Sequence, residues 1–337
     1  MGRVSILFGC FFGFGAASVL AVRAAEPIVL DMPLACAVGE TCTIQQYVDH
    51  DPSSAAKDYH CGTLSYDGHN GTDFRLPTVA VQRAGVNVLA AAAGVVARVR
   101  DGMPDASLAV GGVGAVSKAM CGNGVVITHP DGWETQYCHL AKDSVRVSPG
   151  QRVTAGTPLG RVGLSGATVF PHLHFTVRHT GAIVDPFAFG AAAESCGGGA
   201  SLWRASLQAA LRYRARVVLN WGFAAAPVSM AAIEAGDGLE PGSEDPGAIV
   251  AYVRSIGLKA GDQQQLSLRA PDGSILVEHL ADRLERNEAQ SLLFAGKPRP
   301  AGGWAPGLYA ATYRVLAGDA VVLEQRFSVS LTPRRAP

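Results

Sequence analysis

Residues 170–177 read Phe-Pro-His-Leu-His-Phe-Thr-Val, and this stretch indicates the fold most directly. The residues from His172 onward are typical of a β-strand. In a strand, positions i and i+2 point to the same face, so His172 and His174 project together. Leu173 and Phe175 then pack on the opposite face. The stretch therefore predicts a strand with one apolar face and one face that carries two imidazoles.

Further short strands are predicted on the N-terminal side of this stretch. Residues 123–138 form a candidate hairpin, because two β-rich segments flank the turn sequence His-Pro-Asp-Gly at 129–132. Residues 86–100 alternate weakly, and residues 145–163 contain short β-rich pieces separated by Gly and Pro. No long amphipathic helix is evident before residue 190. This part of the chain is therefore predicted to be a mainly antiparallel β-sheet.

The C-terminal part has its own β pattern. A run of three glycines at 197–199 is the best candidate for a boundary. Apolar and polar residues alternate over 308–315 and 326–331, and Pro-Asp-Gly at 271–273 is a turn signal. These features predict an immunoglobulin-like β-sandwich over residues 201–337, with no identifiable role. The chain has 337 residues, which agrees with two domains of ordinary size.

Charge is balanced along the chain. It contains 28 basic and 28 acidic residues, so composition gives no support for nucleic-acid binding. With 48% hydrophobic and 17% charged residues, the chain has enough apolar side chains for packed cores and is not wholly disordered.

The first 24 residues resemble a secretory signal peptide. Arg3 precedes an uncharged, mostly apolar run from Val4 to Leu20, and Val22-Arg23-Ala24 offers small residues at a cleavage site. We therefore expect cleavage after Ala24, a periplasmic or secreted mature protein, and no stable membrane span after cleavage. An uncleaved membrane anchor is the alternative.

Six cysteines remain in the mature chain. An even number in an exported protein predicts disulfides, although six cysteines allow 15 pairings. The predicted hairpin brings residues 121 and 138 together, which favours that pair. The set that we favour is Cys36–Cys42, Cys61–Cys196 and Cys121–Cys138. Residues 25–60 would then form an N-terminal, disulfide-bearing segment before the first domain at 61–196.

Several histidines occur in contexts that suit one metal site. His69 and Asp73 lie four residues apart among glycines, His139 ends the predicted hairpin, and His172 and His174 share a strand face. Two histidines and one carboxylate suit a catalytic zinc ion with a fourth position left for water. Such a centre keeps a charge of about +1, lowers the pKa of bound water to about 7, and polarises a peptide carbonyl. The two remaining imidazoles could move protons and stabilise an oxyanion.

Residues 61–187 resemble the LytM/lysostaphin-type zinc peptidases of family M23. The resemblance rests on several motifs in the order of the family. They are His-Asn-Gly-Thr-Asp at 69–73, Ala-Gly-Val-Val at 93–96, Gly-Asn-Gly-Val-Val-Ile at 122–127, Tyr-Cys-His-Leu at 137–140, Val-Gly-Leu-Ser-Gly at 162–166 and His-Leu-His-Phe at 172–175. It implies a compact antiparallel β-fold with a long groove, and cleavage of peptide bonds in bacterial peptidoglycan.

The resemblance also implies roles for five residues. His69, Asp73 and His174 would bind one zinc ion per chain, and His139 and His172 would be the unligated catalytic pair. The sequence does not divide the base and oxyanion roles between the two. All five family positions are filled, unlike in degenerate members that have lost ligands and only activate other wall hydrolases. In one departure from the family, Cys138 lies directly before a catalytic histidine, where family members often carry a small residue.

The sequence thus predicts an exported, zinc-dependent endopeptidase that hydrolyses peptide cross-links of peptidoglycan. The disulfides and an Ala-rich, Lys-poor composition favour a Gram-negative source, and hence D-alanyl–diaminopimelate cross-links. One alternative is a non-catalytic protein that binds the cell wall or activates other hydrolases. The other is a secreted bacteriolytic protease that cuts glycyl-glycine bonds. Protein partners and oligomeric state are not predicted.

Overall fold

The computed structural model describes residues 1–2, 26–106, 119–192, 195–236, 238 and 243–333. The predicted signal peptide, apart from its first two residues, lies outside the described residues. Among those that are described, no helix combines the length and the apolar character needed to cross a membrane.

In the first part of the molecule, the described residues form ten antiparallel strands. They are β1 (Thr43–Gln46), β2 (Thr72–Arg75), β3 (Asn87–Leu89), β4 (Gly94–Arg100), β5 (Asn123–Thr128), β6 (Trp133–Leu140), β7 (Arg152–Val153), β8 (Pro158–Arg161), β9 (His172–His179) and β10 (Ala182–Val184). Eight of them make one sheet in the order β1-β2-β9-β6-β5-β4-β7, with β10 also paired to β9. Strands β3 and β8 pair separately.

Strand β9 lies in the interior of the large sheet, between β2 and β6. Leu173 and Phe175 are fully buried in the apolar core, as the alternation predicts. Burial of each such side chain contributes about 1.5–3 kcal/mol, which fixes the strand's register because a one-residue shift would expose both. The predicted hairpin is also confirmed, as β5 and β6 with a short 3₁₀ turn at Pro130–Gly132 between them.

Residues 26–60 share this core and sheet. Strand β1 pairs with β2, and Leu30, Leu34 and Tyr47 are buried in the same apolar cluster as Phe175. All three favoured disulfides are present, with Cα–Cα distances of 5.9, 5.1 and 4.8 Å for Cys36–Cys42, Cys61–Cys196 and Cys121–Cys138.

Seven more antiparallel strands follow in the part of the chain that the structure describes beyond residue 195. They are β11 (Val217–Ala224), β12 (Ala248–Leu258), β13 (Asp262–Arg269), β14 (Ile275–Arg283), β15 (Glu288–Pro298), β16 (Gly307–Ala317) and β17 (Ala320–Leu331). They form a three-stranded sheet, β11-β12-β15, and a four-stranded sheet, β14-β13-β16-β17. Both sheets contribute to one apolar core, with Val253 from the first and Leu266 from the second fully buried. The mainly antiparallel β class is confirmed, and the immunoglobulin-like topology stays a prediction.

The helices within the described residues are short. They are α1 (Val79–Ala84), α2 (Ala205–Gln208) and α3 (Met230–Ala235). Helix α3 begins at an N-cap serine, Ser229, whose side chain accepts a hydrogen bond from the backbone N–H of Ala232, and it ends at Gly236 in the left-handed region. It lies against α1, so it connects the second part of the chain to the first.

Candidate metal centre

Three predicted site residues meet where β2 lies beside β9. Asp73 and His174 are direct partners across the two strands, and His69 lies in the loop that leads into β2. Asp73 Oδ1 is 3.2 Å from His69 Nε2 and 2.8 Å from His174 Nδ1. The two imidazole nitrogens are 3.2 Å apart. The antiparallel pairing of two strands thus joins residues that are 101 positions apart.

These separations fit a single small divalent cation. Zinc bonds to nitrogen and oxygen are about 2.0–2.2 Å long, so two ligands of a tetrahedral ion lie about 3.3–3.5 Å apart. The three atoms form a triangle with edges of 2.8–3.2 Å, slightly tighter than that value. A shift of a few tenths of an ångström in the side chains would match it.

The hydrogen bonds on the outer side of the two rings fix their tautomers. His69 Nδ1 lies 2.6 Å from the backbone carbonyl of Tyr47, which can only accept, so Nδ1 carries the hydrogen. His174 Nε2 donates to Asn70 Oδ1 at 3.0 Å. The inward nitrogens, His69 Nε2 and His174 Nδ1, therefore face the Asp73 carboxylate. Three electron-rich atoms in mutual contact need a proton or a cation between them, and this chemistry fits a bound metal.

Gly71 allows the loop to pass close to His174. A Cβ atom at this position would lie 2.7 Å from His174 Nε2 and 2.7 Å from the carbonyl oxygen of Phe175. Both distances are far inside van der Waals contact, so only glycine fits without displacing the imidazole or the strand. The glycine in the sequence His-Asn-Gly-Thr-Asp therefore has a steric reason.

His139 and His172 lie beside the triangle. Their ring centroids are 4.6 Å apart, and His172 Nε2 is 3.5 Å from Asp73 Oδ1. His139 Nδ1 donates to the backbone carbonyl of Ser165 at 2.8 Å, and His172 Nδ1 lies 3.0 Å from the carbonyl of Phe170. Each ring thus has one nitrogen held by a backbone carbonyl and the other left with a lone pair. The structure brings all five predicted residues together.

The backbone at His139 is held in an unusual conformation. Its φ is 63°, in the left-handed region, which costs a non-glycine residue about 1–3 kcal/mol. The N–H of His139 donates to the Cys121 carbonyl at 2.8 Å, and the preceding residue, Cys138, is bonded to Cys121. The disulfide thus fixes the chain on the N-terminal side of His139.

Burial and charge set the protonation of the cluster. Burial raises the pKa of Asp73, but His172 and His69 outweigh it and hold that pKa well below its usual range. Burial lowers the pKa of His69, yet the adjacent Asp73 raises it overall. Burial holds the pKa of His139 well below its ordinary value and also lowers that of His172. At neutral pH the cluster therefore contains one carboxylate and a neutral His139–His172 pair.

The cluster opens into a cleft of about 340 Å³. His69, His139 and His174 line one part of it, and Gln136, Thr176 and Arg178 extend it along the sheet. Two further groups that shape the site were missed by sequence analysis. They are the backbone carbonyls of Tyr47 and Ser165, and no side-chain pattern could have indicated them. Asn70 was within the recognised motif but was assigned no role.

Comparison with known proteins gives a family match over the same region and several partial matches to individual proteins. Residues 67–186 match the model of peptidase family M23. Protease LasA from Pseudomonas aeruginosa strain UCBPP-PA14 is 41% identical over 68 residues, which is 18% of this chain and 16% of that protein. Cell division protein DipM from Caulobacter vibrioides is 41% identical over 64 residues, or 19% and 10% of the two chains.

A longer match is found with peptidoglycan DD-endopeptidase ShyA from Vibrio cholerae. It is 34% identical over 107 residues, which is 32% of this chain and 19% of that protein. The matched segments thus span less than a fifth of each of these three relatives. The family match includes every residue of the histidine and aspartate cluster, and residues 67–186 belong to peptidase family M23.

Proposed function

We propose that the protein is an exported, zinc-dependent endopeptidase that hydrolyses peptide cross-links of bacterial peptidoglycan. The observation that supports this proposal most is the convergence of three potential ligand atoms: His69 Nε2, Asp73 Oδ1 and His174 Nδ1 lie within 3.2 Å of one another beside an open cleft. A metal ion is the simplest species that satisfies all three at once.

His69, Asp73 and His174 would hold the zinc ion, and the Tyr47 carbonyl and Asn70 would orient the two rings. When bound, the ion supplies Lewis-acid chemistry to a peptide carbonyl. The two outer hydrogen bonds keep the correct nitrogens free and raise the affinity for the metal. Because one carboxylate and two neutral imidazoles carry a charge of −1 together, they would leave a bound zinc ion with a net charge of about +1.

His139 and His172 would move the proton. Burial keeps both rings neutral, and each has one nitrogen hydrogen-bonded to a backbone carbonyl, so the other can accept a proton from the attacking water. The same nitrogen can then return the proton to the leaving amine or stabilise the oxyanion. We assign these roles to the pair jointly.

The substrate class is inferred from the relatives. ShyA is named a peptidoglycan DD-endopeptidase, and it is 34% identical to this chain over 107 residues. For this chain we therefore propose the peptide cross-links of peptidoglycan as substrate.

Export is the second part of the proposal. Three disulfides support an oxidising compartment, because the reducing cytosol disfavours them. N-terminal sequencing of the protein recovered from the periplasm or the medium tests this part. We expect the mature chain to begin directly after Ala24, and an intact N-terminus in the membrane fraction would contradict it.

The activity is tested with purified mature protein and cross-linked sacculi. We expect one equivalent of zinc by elemental analysis and soluble muropeptides by mass spectrometry, with both lost after chelation and restored by zinc. His174→Ala should lose both. His279→Ala removes an exposed histidine far from the cluster and should behave like wild type. Zinc binding without product release would instead favour the non-catalytic alternative, and full activity of His174→Ala would overturn the proposal.

A further inference from the structure

A charged side chain lies on the same sheet face as the histidine cluster. His174, Thr176 and Arg178 alternate along β9, so all three project to the face that carries Asp73. Arg178 lines the same cleft as His69 and His139. Its side chain is 23% exposed, so the guanidinium lies in the wall of the cleft and is not fully solvated.

The guanidinium group of Arg178 points along the sheet toward the histidine cluster. Arg178 Nη1 donates to Gln136 Oε1 at 2.8 Å, and Gln136 is the cross-strand partner of Thr176, only two residues from His174. Two strand residues span about 7 Å, so the guanidinium lies roughly 7–10 Å from the cluster. An extended peptide covers that distance in two or three residues.

Arg178 keeps unused hydrogen-bonding capacity. Its Nη1 also donates to Glu134 Oε1 at 3.1 Å, but among the described residues no hydrogen bond from Nε or Nη2 is present. Glu134 is shared with a second cation, because Arg98 Nη2 lies 3.3 Å from its other oxygen. Two arginines on one carboxylate leave an excess of one positive charge at this end of the cleft.

A second shallow cleft extends this basic surface. It contains Arg98 and Arg100, and it shares Cys121 and Gln136 with the cleft of the histidine cluster. A peptide substrate that extends from the histidine cluster past the Cys121–Cys138 disulfide would therefore contact these basic side chains. A free guanidinium edge in a partly desolvated wall is the arrangement that binds a carboxylate by two parallel hydrogen bonds.

We propose that Arg178 is a specificity-determining residue that binds a free carboxylate of the substrate, two or three residues from the scissile bond. This inference rests on the proposed peptidase function and adds a substrate class to it: peptides that carry an ionised carboxylate on one side of the cleaved bond. That carboxylate belongs either to a side chain, as at a diamino acid with a second carboxyl group, or to the C-terminus of the peptide.

A purely structural role for Arg178 makes a different prediction. Glu134 and Arg178 face each other across β6 and β9, and such a cross-strand ion pair contributes about 0.2–1 kcal/mol to stability. If pairing were its function, Glu134→Gln would loosen the strands and leave peptide binding no better. If Arg178 binds the substrate, Glu134→Gln removes a competing carboxylate and tightens binding.

The test uses zinc-loaded mature protein and three matched peptides: one with both carboxylates free, one with the side-chain carboxylate amidated, and one with the C-terminus amidated. For wild type we expect kcat/KM to fall about 10- to 100-fold when the recognised carboxylate is amidated, chiefly through KM, because Arg178 does not touch the reacting atoms. For Arg178→Gln, kcat/KM should fall by a similar factor with the free peptide and should not change with the peptide whose recognised carboxylate is amidated. Arg178→Lys should recover part of it.

Titration calorimetry with the same peptides gives a readout that does not need turnover. Using protein inactivated by His139→Ala, we expect binding of the free peptide to weaken about tenfold on Arg178→Gln and to tighten on Glu134→Gln. Arg152→Gln, at an exposed arginine outside the cleft, is the matched control.

The two proposals fail separately. Selective binding without turnover by the otherwise wild-type enzyme would retain Arg178 as a carboxylate receptor and reject the peptidase function. Turnover with equal binding of free and amidated peptides would reject the role of Arg178 and retain the peptidase. An equal loss for Arg178→Gln on every peptide would also reject it.

Discussion

Asp73 and Arg75 lie two residues apart on β2, and each is the centre of a buried polar cluster. Asp73 is 2% exposed and is surrounded by imidazoles, and Arg75 is 1% exposed and is paired with an acid. One cluster opens into the cleft and its ligand atoms converge on a point. The other is closed by protein and supplies its own counter-charge. Strand β2 thus carries two different sites. At Asp73 the site can bind a metal cation, and at Arg75 the cation is a side chain of the protein itself.

The cluster at Arg75 joins the two parts of the chain. Arg75 Nη2 lies 2.8 Å from Glu234 Oε2, on helix α3, and Arg254 of β12 bonds the same carboxylate oxygen. Arg254 also donates to the backbone carbonyl of Pro77, just after β2. Two guanidinium groups therefore share one carboxylate at this junction. The junction forms only when residues more than 150 positions apart in the sequence come together.

The two clusters are also connected. The Arg75 guanidinium carbon lies 4.1 Å from the centroid of the Phe170 ring, and the Phe170 carbonyl is 3.0 Å from His172 Nδ1. Arg75 also pairs with His172 across β2 and β9. The C-terminal part of the chain therefore supports the His139–His172 pair indirectly, through Glu234 and Arg75. The comparison indicates that the carboxylate of the open cluster can bind an external cation, whereas the carboxylate of the closed cluster is shared by two guanidinium groups of the chain itself.

The largest effect is expected at the open cluster. Asp73→Ala removes the only carboxylate of the triangle and should abolish zinc binding, with kcat/KM falling by more than about 1,000-fold as the Lewis acid is lost. Zinc content and peptide hydrolysis are measured on the same preparation. A variant that keeps its zinc and most of its activity would show that the carboxylate is not a ligand.

Substitution in the closed cluster should lower the free energy of unfolding. Glu234→Ala leaves two buried guanidinium groups without their shared counter-charge, which costs about 3–5 kcal/mol in free energy of unfolding. Urea denaturation measures it, with exposed Glu285→Ala as the matched control, expected within about 0.5 kcal/mol of wild type. A loss below about 1 kcal/mol for Glu234→Ala would mean that water satisfies the junction and that the comparison is wrong there.

The hydrogen bonds outside the triangle should have an intermediate effect. Asn70→Ala removes the acceptor that holds His174 Nε2, so zinc affinity should fall about 10- to 100-fold while the free energy of unfolding of the metal-free protein changes little. Competition with a chromogenic chelator measures the affinity. Unchanged affinity would assign the orientation of His174 to Thr176, whose hydroxyl lies 3.2 Å from the same nitrogen.

Much of this arrangement could be predicted from the sequence. Alternation in residues 172–177 predicted β9 and its two imidazoles, and the turn at 129–132 predicted the hairpin and one disulfide. The five site residues followed from spacing and from the family resemblance. Local patterns suffice there because strand alternation and turn chemistry act over a few residues.

Two features of the site could not be predicted in the same way. The carbonyls of Tyr47 and Ser165 belong to the backbone, which every residue possesses, so no residue type marks them. Glu234 and Arg75 are 159 positions apart, and a charged residue in a short amphipathic helix usually faces solvent. Only tertiary packing turns that half-buried side chain into the counter-ion of two buried guanidinium groups.

The smallest effect concerns a third ion pair, which serves as a reference for a closed site with one acid and one guanidinium. Arg216 binds both oxygens of Asp262, at 2.6 and 2.8 Å, and Asp262 is 1% exposed. Burial alone would raise the pKa of Asp262, but Arg216 and the Lys259 N–H lower it overall. A carboxyl group whose pKa is lower in the folded state than in the unfolded state stabilises the fold at pH values above its unfolded pKa of about 3.9. This stabilisation is lost as the pH falls through the pKa of the folded state.

Asp262→Asn should therefore cost about 1–2 kcal/mol at pH 7 and clearly less at pH 3, measured by urea denaturation at both values. Asp319→Asn, at an exposed turn, should show no such difference between the two pH values. If Asp262→Asn lowered the free energy of unfolding as much at pH 3 as at pH 7, the Asp262–Arg216 pair would act through packing and not through charge. Glu234 would then be the better reference for charge at a closed site, since it faces two guanidinium groups in place of one.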